Sequence, residues 1–165
     1  MRHRLATLGA ILVLFAGWNQ GCGSSSPTTA TPPTTAPRAS ASKVTVGAEN
    51  ASLTVTSRST VVNLVLVCGN GHAEWHFIES AGLGATITHS DVYLIQQDGD
   101  ITDRVSQDRT DRIEANQSLR VNSDRVALCG YEGRDFPPTI KGEFVVRDDN
   151  GNVTNLTAEA VLIEK

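Results

Sequence analysis

Residues 44–165 are predicted to form an all-β domain, an antiparallel sandwich of about seven or eight strands, on three observations. Helical periodicity is nearly absent from the stretch. Short runs rich in Val, Ile, Thr and aromatic residues recur along it, bounded by Gly, Asp and Asn. Two of the boundaries, Asp98-Gly99 and Asn150-Gly151, are dipeptides that hairpin turns favour because they tolerate positive φ. Some eight strands in about 120 residues fit two packed antiparallel sheets.

The strands are expected in the following order. Residues 43–46 and 52–56 are two short β-rich runs. Residues 61–68 read as one central strand, apolar on both faces, with Leu64, Leu66 and Cys68 on one and Val65 and Val67 on the other. Residues 69–73 (Gly-Asn-Gly-His-Ala) read as a loop. Residues 74–79 place Trp75 and Phe77 together, with Trp75 in the core. Residues 87–95 set Val92 and Leu94 against Asp91, Tyr93 and Ile95, and Tyr93 fits either the core edge or the sheet surface. Residues 101–117 interleave Asp103, Asp108, Asp111 and Glu114 with Arg104, Arg109 and Arg112, the pattern of a solvated edge or loop, with a short helix as the alternative. Residues 118–121 and 125–129 are two more strands. Residues 139–147 and 153–163 alternate cleanly about the Asn150-Gly151 turn.

The first 43 residues have a different character. Met1-Arg2-His3-Arg4 is a basic start, and Leu5 to Trp18 is an apolar run. That run is shorter than the ~20 residues of a membrane-spanning helix and fits a signal peptide. Gly21-Cys22 follows, and Ser24 to Ser42 is almost wholly Ser, Thr, Pro and Ala, with prolines at 27, 32, 33 and 37. Such a stretch cannot bury a core, and its prolines bias it toward extended geometry with a reach of roughly 60 Å. Asn19-Gln20-Gly21-Cys22 resembles a bacterial lipobox. The resemblance implies a signal peptide over 1–21, lipidation of Cys22, a tether over 22–43, and export to the outer membrane or cell surface on a lipid anchor.

Charge narrows the partners. All 18 acidic residues follow residue 43, against ten basic ones, so the domain carries a net −8 where the whole chain carries −4. Neutralising phosphates requires clustered Lys and Arg, which excludes nucleic acid. An anionic bilayer would repel the domain, so membrane contact is expected through the anchor on Cys22.

The domain also resembles the immunoglobulin-like and fibronectin-type-III-like domains of bacterial lipoproteins. The likeness covers residues 44–165, through VVNLVLVC (61–68), WHFIE (75–79), GLGATITHSDVYLIQQDG (82–99) and GEFVVRDDNGNVTNLTAEAVLI (142–163). With Cys22 lipidated, Cys68 and Cys129 are the two cysteines left, and an oxidising compartment favours a disulfide between them; two buried thiols are the alternative. If their strands run in one direction, as the corresponding strands of an immunoglobulin-like sandwich do, residues 69–73 and 130–138 emerge side by side. Binding residues are then expected at His72, Tyr131, Arg134 and Phe136, types that include the aromatic and Arg anchors of interfaces.

Metal, cofactor and catalytic signals are weak. His72, Glu74 and His76 lack the helical spacing of a zincin. Asp148 to Asn152 and Asp98 to Asp100 lack the terminal bidentate Glu of a calcium loop. No G-x-S-x-G or phosphate loop occurs. The expectation is a non-catalytic binding or scaffold lipoprotein without metal or cofactor, displayed on the envelope to a protein or, second, a glycan. A spacer domain without a ligand is the alternative, and a hydrolase with a loop-built site is the third.

Overall fold

A computed structural model describes residues 40–165; the expectations for Cys22, the signal peptide and the tether up to residue 39 lie outside the described residues. The described residues form an antiparallel β-sandwich of nine strands without a helix. In chain order these are β1 (Val44–Val61), β2 (Leu64–Glu79), β3 (Ala85–Ile95), β4 (Ile101–Ile113), β5 (Ser118–Asn122), β6 (Val126–Tyr131), β7 (Thr139–Asp148), β8 (Val153–Val161) and β9 (Ile163–Glu164). One sheet has the order β5-β2-β1-β9, with β6 also on β2; the other has the order β4-β3-β7-β8. These are called sheets A and B. The pairings are antiparallel except β1 with β9.

The alternation read from the sequence is the alternation of burial. Val67, Gly69, Gly71, Ala73, Trp75, Phe77 and Glu79 of β2 face inward, one residue in two. Trp75 and Phe77 are fully buried, and both meet the Phe144 ring edge-on, at centroid distances of 5.3 and 5.0 Å. Gly142 makes room for that stack, because a Cβ there would lie 2.6 Å from the Phe144 ring. Tyr93, left open by the sequence, is half-buried on the outer face of sheet B.

Four expectations are corrected. Residues 61–68 are not one strand: Val61 pairs with Leu64 across a two-residue turn at Val62 and Asn63. Residues 69–73 are not a loop but the middle of β2. A Cβ on Gly69 would lie 2.5 Å from the Thr54 carbonyl, and one on Gly71 would lie 2.6 Å from Leu162. The glycines that suggested a turn thus allow close packing within and beneath the sheet. The runs at 43–46 and 52–56 are one 18-residue strand, with register shifts at Glu49/Ser52 and Val55/Ser57. Residues 153–163 are two strands, because the chain crosses from sheet B to sheet A at the buried Leu162. Residues 101–113 are strand β4 at the edge of sheet B, the solvated-edge reading.

The Val62-Asn63 turn breaks a local rule. Both residues have positive φ, 45° and 69°. A two-residue hairpin turn of this kind favours Asn-Gly, and a β-branched residue is strained there. Replacing the pair (Val62→Asn with Asn63→Gly) is expected to stabilise the domain by about 1 kcal/mol. It should raise the urea midpoint at unchanged slope; a lower midpoint would show that the turn carries no strain.

Two acidic side chains hold the entry of the chain into the domain. Glu79, 2% exposed, accepts the N–H groups of Lys43 and Ala81 on one oxygen and of Gly82 and Asn116 on the other, at 2.8–3.2 Å. Asp148 accepts the N–H of Ser42 at 3.0 Å, together with those of Asn150 and Asn152. The N-terminal segment therefore enters at the end of the sandwich that carries residues 79–84, 114–117 and 148–152. From there β1 runs to the opposite end, a span of roughly 55 Å at about 3.3 Å per residue.

Candidate functional site

The two cysteines are bonded, with Cα atoms 4.1 Å apart. They face each other directly in the register of β2 and β6, and the short Cα separation is that of a non-hydrogen-bonded antiparallel pair. The bond therefore lies within sheet A, on its outer face. This overturns the expected geometry of the binding residues. The two strands run in opposite directions, so the segments after Cys68 and Cys129 leave toward opposite ends. Tyr131 pairs with Leu66, six residues along β2 from His72, a separation of roughly 20 Å. His72 is not brought together with Tyr131, Arg134 and Phe136.

Those three remain together at the end opposite the chain entry, and they differ in role. Phe136 is half-buried and packs on the core. Tyr131 is half-buried; its N–H donates to the buried Asp135 carboxylate, and its carbonyl accepts the Asp135 N–H at 2.9 Å. The Arg134 side chain is 72% exposed. Between this loop and β1 lies a cleft of about 280 Å³, floored by Leu53, Val67, Phe136, Pro137 and Leu162. Its rim holds Arg58, which pairs with Glu164 at 2.9 Å and reaches Glu132 at 4.0 Å. Beyond the cleft projects the β1–β2 hairpin, with Val61, Val62 and Leu64 exposed by 42, 89 and 51%. Sequence reasoning missed this tip because it read Val61 to Leu64 as core strand.

His72 belongs to a second place, a hollow of about 260 Å³ on the outer face of sheet A. Strands β5 and β6 share one edge of β2: β5 pairs with residues 74–78 and β6 with 66–71. Residues 72 and 73 are left between them, and the chain at 123–125 bridges the gap. Ser123 anchors that bridge, accepting the Ala73 N–H at 2.8 Å, with its Oγ 3.4 Å from His72 Nδ1. Arg125, which no sequence signal marked, lines the hollow with His72, Asn70, Ser52, Thr54 and Thr56.

The outer face of sheet B is a ladder of charges. Arg104 lies over the Tyr93 ring at 5.3 Å and pairs with Asp91 at 3.0 Å, while Lys141 pairs with Glu143 at 2.7 Å. Burial, then Asp91 and Glu143, push the Tyr93 hydroxyl above its ordinary value. The hydrogen bond from Lys141 holds Glu143 below its own, against the opposing effect of burial. A Ser-His-Asp order appears here too: Ser106 Oγ is 3.3 Å from His89 Nε2, and His89 Nδ1 is 2.9 Å from Asp108. The side chain of Asp108 is 96% exposed, and Asp91 competes for Nε2 at 3.6 Å. With β3 paired on both sides, its amides face β4 and β7 rather than a bound carbonyl. An acyl-transfer site needs donors aimed at the developing oxyanion, and β3 does not supply them.

Among the described residues, no group of three or more His, Cys, Asp and Glu side chains is arranged to hold a metal ion. No known protein family matches the chain, and no curated protein matches it. Solved structures similar to it include the following two. One is the Northeast Structural Genomics Consortium target SoR45, at 14% identity and TM-score 0.49, over 73% of this chain and 85% of that one. The other is a Bordetella pertussis protein described as a candidate ApaA, at 10% identity and TM-score 0.47, over 75% and 94%.

Proposed function

We propose that the protein is a non-catalytic binding lipoprotein of the cell envelope, anchored through Cys22 and presenting the end of its sandwich opposite the tether to a protein partner. The observation that carries this reading is the strained, exposed Val62. A turn that would be more stable with Asn-Gly keeps an apolar residue at its tip, and locally unfavourable backbone of this kind clusters at functional sites. The tip lies beside an apolar cleft, and β1 carries both away from the point where the chain enters. The cleft rim has two glutamates to one arginine, and the domain is strongly acidic. These features suit a partner that offers an apolar side chain framed by Lys or Arg. Pro137 stiffens the loop beside the cleft and lowers the ordering cost of binding.

Three measurements test the reading. Intact mass of the full chain from membranes is expected to show cleavage before Cys22 and acyl mass on it, and Cys22→Ser is expected to release soluble protein. An unmodified cysteine removes the anchor. For the interface, a photo-crosslinking residue at position 62 is expected to capture a specific envelope protein, and one at position 155, on the outer face of sheet B, is not. Equal capture at both positions, or none at 62, favours the spacer reading. A serine-reactive fluorophosphonate is expected to leave Ser106 unlabelled; labelling would restore the hydrolase reading.

A further inference from the structure

The hollow at His72 differs in its lining from three other hollows on the domain, one of which adjoins it through Thr56 and Asn70. Those three are lined by Asp103, by Glu132 and Glu164, or by Asp91 and Glu143. The hollow between β1, β2 and the 123–125 bridge has no acidic residue in its lining, although the domain carries 18 acidic residues. Hydrogen-bonding groups surround it instead: hydroxyls at Ser52, Thr54 and Thr56, the last donating to the Cys68 carbonyl at 3.1 Å and so open to a ligand as an acceptor, with the Asn70 amide, the His72 imidazole and the Arg125 guanidinium. The register keeps them on one face, with Ser52 opposite His72 and Thr54 opposite Asn70.

The charge in the hollow is also uncommitted. Arg58, Arg104, Arg109, Arg112, Arg120 and Arg134 each form an ion pair. Arg125 forms none among the described residues. The nearest acidic residue in sequence, Asp124, lies 3.8 Å from Arg109 instead. The carboxylates farther along the same face are engaged as well: Glu74 with the Asn50 amide at 2.8 Å, and Glu49 with Arg120 at 3.0 Å. With Nδ1 of His72 turned to Ser123, its Nε2 is left for the hollow.

The geometry points to a binding site for an oxyanion, a phosphate or a carboxylate borne on a hydroxylated carrier such as a sugar or polyol. Arg125 forms the charged, forked contact that suits either anion. The three β1 hydroxyls, spaced about 7 Å apart along the strand, meet the hydroxyl groups of the carrier. The site is independent of the interface at the Val62 tip and stands whether or not that reading holds.

The test is calorimetric titration of the full chain, in detergent, with inorganic phosphate and separately with glucuronate. Wild type is compared with Arg125→Ala and with Arg147→Ala. Arg147 is exposed on the outer face of sheet B and likewise forms no ion pair among the described residues, so it controls for loss of charge. Saturable binding of at least one probe is expected at or below about 10 mM. Arg125→Ala is expected to weaken it about tenfold or more, with Arg147→Ala without effect and both variants melting like wild type. Tighter binding of phosphate assigns the site to a phosphate-bearing ligand, and tighter binding of glucuronate to a uronate. The proposal is overturned by no saturable binding of either probe, by binding insensitive to Arg125→Ala, or by equal losses in the two variants.

Discussion

Glu79→Ala is expected to destabilise the domain by about 4 kcal/mol. Each buried donor left without a partner costs about 1–3 kcal/mol. Glu79 serves four amides from three separate segments, at Lys43, at Ala81 and Gly82, and at Asn116. Water reaches some of them once the carboxylate is gone, which keeps the total below the sum. At about 4 °C per kcal/mol for a domain of this size, the melting temperature falls by roughly 15 °C. Glu79→Gln is expected to be nearly as damaging, since its NH₂ must then face one of the two pairs of N–H donors. A drop of only a few degrees in both variants would show that the three segments are held by something else.

The same carboxylates set the acid limit. Burial pushes the Glu79 pKa up, but the hydrogen bonds from Asn116, Ala81, Lys43 and Gly82 outweigh it and hold the group below its ordinary 4.5. Asp148 is held at about 2, below its ordinary 3.8, first by the Asn152 side chain and then, against burial, by the amides of Ser42, Asn152 and Asn150. Both folded-state values lie below the unfolded ones. Their stabilisation is therefore complete above the ordinary carboxylate range and is lost as pH falls, for Asp148 between 3.8 and about 2. Thermal melts should be flat from neutral pH to about 5 and then fall, with a shallower fall in Glu79→Gln because one group no longer takes up a proton. A steep loss above pH 5 would place the acid sensitivity elsewhere.

Removing the disulfide by Cys68→Ala with Cys129→Ala is expected to cost roughly 4 kcal/mol, the chain-entropy value for a closed loop of about 62 residues. Placement makes this a clean test. The bond lies on the outer face of sheet A with Cys129 exposed, so its loss opens no cavity in the core. Strand β6 also keeps its ladder to β2 from Leu66 to Gly71, so the circular dichroism of the folded state should not change. The expected result is a melting temperature lower by roughly 15 °C with an unaltered spectrum. A loss of secondary structure at room temperature would mean that the bond, not the ladder, holds β6 in place.

By itself the sequence determined the class of the fold and most of its strands. Alternation at 139–147 and at 153–161, the part of 153–163 that stays in one sheet, is a local property: a period of two with one apolar face permits little else. The Asp98-Gly99 and Asn150-Gly151 turns were readable for the same reason, since Gly99 and Gly151 occupy the positive-φ positions there. Tertiary structure decided the rest, wherever a residue answers to a distant neighbour. Gly69 and Gly71 resembled a loop because nothing local reveals Thr54 and Leu162 pressing on them. Val62-Asn63 resembled a strand because hydrophobic periodicity does not register a turn made of strand-forming residues. Pairing of the cysteines followed from counting, but their shared sheet depended on β6 lying antiparallel to β2, and this separated His72 from Tyr131. Arg125 acquires its place only because β5 and β6 divide one edge of β2 and leave a gap between them, an arrangement set by strand pairing over long sequence distances.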